Sequence, residues 1–101
     1  MIIYNVTTKV NWEINDAWLE WMKKEHIPQM LDTGCFIDSS IHRLLEIEED
    51  EGPTYAVQYR VPGNDEYHNY FQQHAAILRR HALEKWGNQI MSFRSVMEVL
   101  H

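Results

Sequence analysis

Thr54-Tyr55-Ala56-Val57-Gln58-Tyr59-Arg60-Val61 runs directly into Pro62-Gly63-Asn64-Asp65. Tyr55, Val57, Tyr59 and Val61 alternate with Ala56, Gln58 and Arg60, the period of a strand with one covered face. Pro62 and Gly63 punctuate it, and Asn64-Asp65 offers acceptors for the free N–H groups of a helix start. Upstream, residues 35–47 read as another strand. It is joined to the first through Glu46-Ile47-Glu48-Glu49-Asp50-Glu51-Gly52-Pro53, an acidic hairpin connection without the spaced ligands and central glycine of a calcium loop. Downstream, the pattern predicts a helix over residues 65–85, with Gly87 just past its end. Its stripe is Tyr67, Tyr70, Phe71, His74, Leu78, His81 and Lys85. Residues 89–100 alternate again as a last strand.

The N-terminal half repeats this grammar. Over residues 2–12, Ile2, Tyr4, Val6, Thr8, Val10 and Trp12 share one strand phase; Ile3, Asn5, Thr7, Lys9 and Asn11 share the other. Asn15-Asp16 supplies a helix start. At about 100° per residue, Ile14, Trp18, Trp21, Met22 and Glu25 fall on one stripe. Pro28 lacks an N–H and pushes Ile27 out of the α region, so a break is expected near His26-Ile27-Pro28, with a short final turn closed by Gly34.

The order is β-α-β-β-α-β, a single α+β domain over residues 1–101 of the ferredoxin-like kind, with a four-stranded antiparallel sheet and two helices on one face. The other face is expected to carry Asn5, Thr7, Lys9, Gln58, Arg60, Ser92 and Arg94 among Ile3, Ile90, Val96 and Leu100. So mixed a face, beside so many aromatic residues, points to a second copy related by a two-fold axis.

Composition narrows the function. Apolar residues are 45% and charged residues 24% of 101, with Lys+Arg 9 against Asp+Glu 15 and a formal net charge of −6. A nucleic-acid binder needs a basic stripe, and none is visible. No apolar run approaches the ~20 residues that span a bilayer. The start lacks the regions of a signal peptide, and the one cysteine, Cys35, makes no internal disulfide. A cytoplasmic protein, with no nucleic-acid or membrane partner, is the expectation.

Several segments are familiar together: Met1-Ile2-Ile3-Tyr4-Asn5-Val6-Thr7, Trp18-Leu19-Glu20-Trp21-Met22 leading to His26-Ile27-Pro28, Thr33-Gly34-Cys35-Phe36, His74-Ala75 and Phe93-Arg94-Ser95-Val96. Across essentially its whole length the chain resembles a bacterial family of proteins of about this size that is catalogued as a domain of unknown function. That family in turn is similar to the dimeric α/β-barrel superfamily. The resemblance implies a homodimer whose two sheets form a barrel with helices outside. It implies no reaction, because that superfamily holds monooxygenases, haem-degrading enzymes, isomerases and proteins with no known activity.

Candidate chemistry rests on a few side chains. His26 stands beside the expected break and titrates near neutrality, which suits acid–base work; its ordinary role there is to bond a free carbonyl. Glu25, on the stripe between Trp18, Trp21 and Met22, becomes a base if buried and otherwise curls out to solvent. His74 and His81 share a helix face, but ~10.5 Å of helix separates them, too far to hold one metal ion together. His74 alone is a weak haem-ligand candidate. Arg94 in mid-strand needs a carboxylate, either an acid of this chain or its dimer mate, or a carboxylate or phenolate ligand. Tyr59 and Trp21 are candidate walls of an aromatic pocket. Cys35 reads as small apolar filler.

The reading is therefore a homodimer that binds a small, partly aromatic or anionic molecule in a helix–sheet cleft, without metal or cofactor. His26 (with Glu25 behind it) would transfer protons, and Arg94, Tyr59, Trp21 and His74 would bind. At fold level this suits a cofactor-free oxygenase or isomerase. The alternative is a non-catalytic dimeric interaction or structural module, and haem binding through His74 is a third reading.

Overall fold

The computed structural model describes residues 1–101. Its elements are β1 (Ile2–Val10), α1 (Asn15–Trp21), α2 (Ile27–Asp32), β2 (Asp38–Arg43), β3 (Thr54–Val61), α3 (Asn64–Gln73), α4 (Ala75–Trp86) and β4 (Ile90–Glu98). The four strands form one open antiparallel sheet in the order β2-β3-β1-β4. It is an α+β architecture, and each of the two expected helices is present as two pieces.

The covered face follows from period two and from register. Tyr4 pairs with Tyr59, and Val6 with Val57, so the phases read in β1 and β3 coincide on one side. Tyr4, Val10, Val57, Tyr59 and Val61 are almost fully buried there. Trp18 stacks on Tyr55 with centroids 5.2 Å apart, and Tyr70, Leu78 and Trp86 complete the apolar layer. Burying a side chain of this size contributes about 1.5–3 kcal/mol, so the sheet and helices hold each other rather than forming alone.

Register also corrects an expectation. Across β1, Val6 pairs with Arg94, Thr8 with Ser92 and Val10 with Ile90. Ile90, Ser92, Arg94 and Val96 therefore lie on the helix side, not the open face. Both phases of residues 89–100 carry apolar residues, so period alone left the side undetermined. The open face instead carries Met91, Phe93, Ser95 and Met97 beside Ile3, Asn5, Thr7 and Lys9.

The helix breaks also fall in unexpected places. Between α1 and α2 the chain makes one wide π turn, Met22–His26. Pro28 lies in the first turn of α2, where its missing N–H would have no helical partner anyway. Ile27 keeps α angles, φ −60° and ψ −46°, so the helix widens upstream of Pro28 instead of breaking at it. In the second helix the interruption is at His74, φ −127° and ψ −32°. The Asn15-Asp16 and Asn64-Asp65 pairs sit inside the helices and make no side-chain cap. Asn15 Oδ1 instead accepts a hydrogen bond from the Tyr55 hydroxyl at 2.6 Å.

Strand β2 is shorter than residues 35–47. The stretch after Arg43 belongs to the acidic connection, where Arg43 holds Glu49 through two hydrogen bonds of 3.1 and 2.6 Å. Trp12 has left β1, is half exposed, and donates its indole N–H to the Glu49 carbonyl at 2.8 Å. Gly52 is dictated by close approach: a Cβ there would lie 1.7 Å from the Val10 carbonyl oxygen.

Candidate functional site

Between the helices and the sheet lies a cavity of about 40 Å3, lined by residues that include Tyr4, Trp21, His26, Tyr59, Arg79 and Arg94. That is room for a few water molecules, since one water needs roughly 10–15 Å3 measured this way. The cavity leads outward into a groove of about 270 Å3, with which it shares Arg79, Ala82, Ile90, Ser92 and Arg94; Leu83 and Gly87 complete the groove.

The π turn places His26 here. In an unbroken α-helix Glu25 would follow Trp18, Trp21 and Met22 on the inner stripe. Widening one turn delays the phase by a residue, so His26 and then Met30 face inward. Glu25 turns out to an exposed groove beside Lys24, Lys85 and Trp86. π turns recur at functional sites. The His26 ring stacks on Trp21, centroids 4.8 Å apart and planes 22° apart, and its Nδ1 is buried with no hydrogen-bond partner. Burial, then the positive charge of Arg94 and of His81, lowers its pKa to about 4. The imidazole is thus neutral near pH 7.

The break at His74 resets the second helix in the same way. The inner residues of α4 are Ala75, Leu78, Ala82 and Trp86, with Arg79 among them in place of the expected His81 and Lys85, which are exposed. Arg79 donates from Nη2 to the Tyr4 hydroxyl at 3.1 Å, lies 5.7 Å from the Phe71 ring centroid, and has a buried Nε without a partner. Its signal in the sequence was the spacing 75, 79, 82, 86, hidden because the stripe was drawn through His74 without a break.

Arginine pairing singles out this region. Arg43, Arg60 and Arg80 pair with Glu49, Asp38 and Glu84. Arg79 and Arg94, the two that line the cavity, have no carboxylate partner, although the chain carries fifteen acids against nine Lys and Arg. The planar fork of a guanidinium matches the geometry of a carboxylate or phosphate. The remaining polar lining is spent internally: the Thr8 and Ser92 hydroxyls bond each other at 2.8 Å. Burial, reinforced by Tyr4 and opposed by Arg94, pushes the Tyr59 hydroxyl well above the usual phenol range, so it stays protonated.

Four of the six residues expected from sequence meet at this cavity: His26, Arg94, Tyr59 and Trp21. Glu25 does not. His74 does not either, because it borders a separate surface groove with Gln29, Asp32 and Thr33. Arg79, Tyr4, Thr8 and Ser92 were missed. No three His, Cys, Asp or Glu side chains stand together as a metal-ligand set, and no helix is long and apolar enough to cross a membrane.

Over residues 1–100 the chain matches the family model of a domain of unknown function, DUF4286, and it belongs to that family. No curated protein and no solved structure matches it.

Proposed function

We propose that this DUF4286 domain binds a small organic anion at the mouth of its helix–sheet cavity. The observation that carries the reading is the pair Arg79 and Arg94, without carboxylate partners and opening onto the cavity that holds His26. The cavity itself is too small for an aromatic ring, since one of roughly 150 Å3 is what accommodates benzene. An aromatic or aliphatic body would lie in the outer groove. If the ligand is turned over, His26 is the proton-transfer group, in keeping with a cofactor-free isomerase or oxygenase.

We read the working form as a homodimer. Met91, Phe93 and Met97, 74%, 63% and 39% exposed on the open sheet face, favour a partner sheet. The β-α-β-β-α-β order with strand sequence 2-3-1-4 supports a ferredoxin-like fold, in keeping with a bacterial family related to the dimeric α/β-barrel superfamily. The free, buried Cys35 suits a reducing compartment, in keeping with the cytoplasm. The same apolar patch favours a second reading, a non-catalytic dimeric interaction module.

A thermal-shift panel of small carboxylates, phenolates and phosphates separates the two. Binding to the folded state alone raises the unfolding midpoint. The ligand reading expects stabilisation by some anions, lost in Arg79→Gln and Arg94→Gln. A panel with no hits, or hits indifferent to both substitutions, would overturn it.

A further inference from the structure

We propose, resting on the anion-binding reading above, that the arginine mouth takes a small organic carboxylate and that its arrival makes His26 the proton acceptor of the site. The fork geometry argues for a carboxylate: two planar guanidiniums and no lysine line the cavity or its groove, and such forks match planar two-oxygen acceptors. The volumes argue for a head-first pose. The inner 40 Å3 admits little beyond water, so only the charged head reaches the arginines, and the apolar body lies against Ala82, Leu83 and Ile90 in the groove.

The coupling to His26 follows from what surrounds it. The titratable groups that line the cavity with this imidazole are Tyr4 from β1, Tyr59 from β3, Tyr70 from α3, Arg79 from α4 and Arg94 from β4, and the exposed His81 of α4 adds to the positive charge it feels. None is an acid. With the mouth empty, a proton on His26 would add a cation beside two that already lack counterions, in a site half closed to water. Its pKa of about 4 is consistent with this. An anion on Arg94 offsets the charge that weighs most against a proton on His26 and adds an attractive one. His26 then takes a proton, from solvent or from an acidic group of the ligand. The base is ready only when the ligand is seated, which avoids holding a buried charge in the empty protein.

The probe is trifluoroacetate, a carboxylate ionised throughout the range used, so that its own protonation does not enter. Binding is followed by fluorine NMR and the His26 ring protons by proton NMR, from pH 7.5 down to 5. Expected are a His26 titration midpoint that rises at saturating probe, affinity that grows severalfold as pH falls, and a flat pH profile in His26→Gln with binding retained. In Arg94→Gln the midpoint should already be raised without probe, and binding weakened. If the probe binds through both arginines while His26 is unmoved and affinity is flat with pH, this inference fails and the anion site stands. If pH-dependent binding persists in His26→Gln, the proton goes elsewhere and the inference fails likewise. If neither trifluoroacetate nor benzoate binds at any pH, the anion site falls, and this inference with it.

Discussion

His26 lies flat on Trp21, ring centroids 4.8 Å apart, and the stack holds a buried Nδ1 that nothing in the protein bonds. A group with an ordinary pKa of 6.5 is kept near 4. Between those values the unfolded chain binds more protons than the folded one. Stability is therefore full above pH 6.5 and is lost as pH falls toward 4, by up to about 3 kcal/mol. Urea unfolding at pH 7.5, 5.5 and 4.5 measures this. His26→Gln should flatten that part of the profile, and an unchanged slope would place the effect in other groups.

The unpartnered nitrogen also predicts that His26 is held at a cost to stability. His26→Phe keeps an aromatic ring against Trp21 and removes a buried polar group that lacks a bond. The midpoint in urea at pH 7.5 should stay level or rise, by about 1 kcal/mol. A loss of 2 kcal/mol or more would mark His26 as a structural residue.

Arg94 is exposed and makes no ion pair, so Arg94→Gln should change stability by less than about 0.5 kcal/mol. Arg60, paired with Asp38 on the open face, serves as the comparison; such an exposed pair is worth up to about 1 kcal/mol. If Arg94→Gln costs clearly more than Arg60→Gln, Arg94 is built into the fold or a dimer contact, and its part in a ligand site is refuted.

Phe93 stands 63% exposed on the open face of the edge strand β4, between Met91 and Met97 along that strand. Phe93→Lys places a charge where the partner sheet is expected. Sedimentation equilibrium should show a dimer for the parent chain and a monomer for the variant, each with unchanged circular dichroism. A monomeric parent chain would refute the dimer.

Gly52→Ala should be severe. The added Cβ would meet the Val10 carbonyl at 1.7 Å, and that end of β1 is fixed by Val10 N–H donating to the Pro53 carbonyl at 2.9 Å. Backbone must move at both places, at a cost of about 2–4 kcal/mol. Thermal unfolding checks this.

The strands and their number were legible because period two is a local property. β3, Thr54–Val61, was delimited to the residue, since turn residues bound it on both sides. β2 was overextended, because residues 44–47 keep a strand-like composition while Arg43 and Glu49 tie them into the acidic turn. Of the site, His26, Arg94, Tyr59 and Trp21 were legible as residues that need partners or cover. Arg79 was not, because a single irregular residue, His74, shifts the helix phase that would have revealed it.

The sequence by itself determined which segments are strands and helices, which phase of β1 and β3 forms the core, and that His26 and Arg94 are side chains that need a partner. Those are consequences of backbone period and side-chain polarity over a few residues. Tertiary structure alone decided that Arg94 faces the helices, through the pairing of Val6 with Arg94, and that His26 rather than Glu25 turns inward, through one wide turn. Both depend on matching segments far apart in the chain. A shift of one residue in a strand reverses its faces, and one in a helix rotates its stripe by about 100°. Neither leaves a trace in composition or local period.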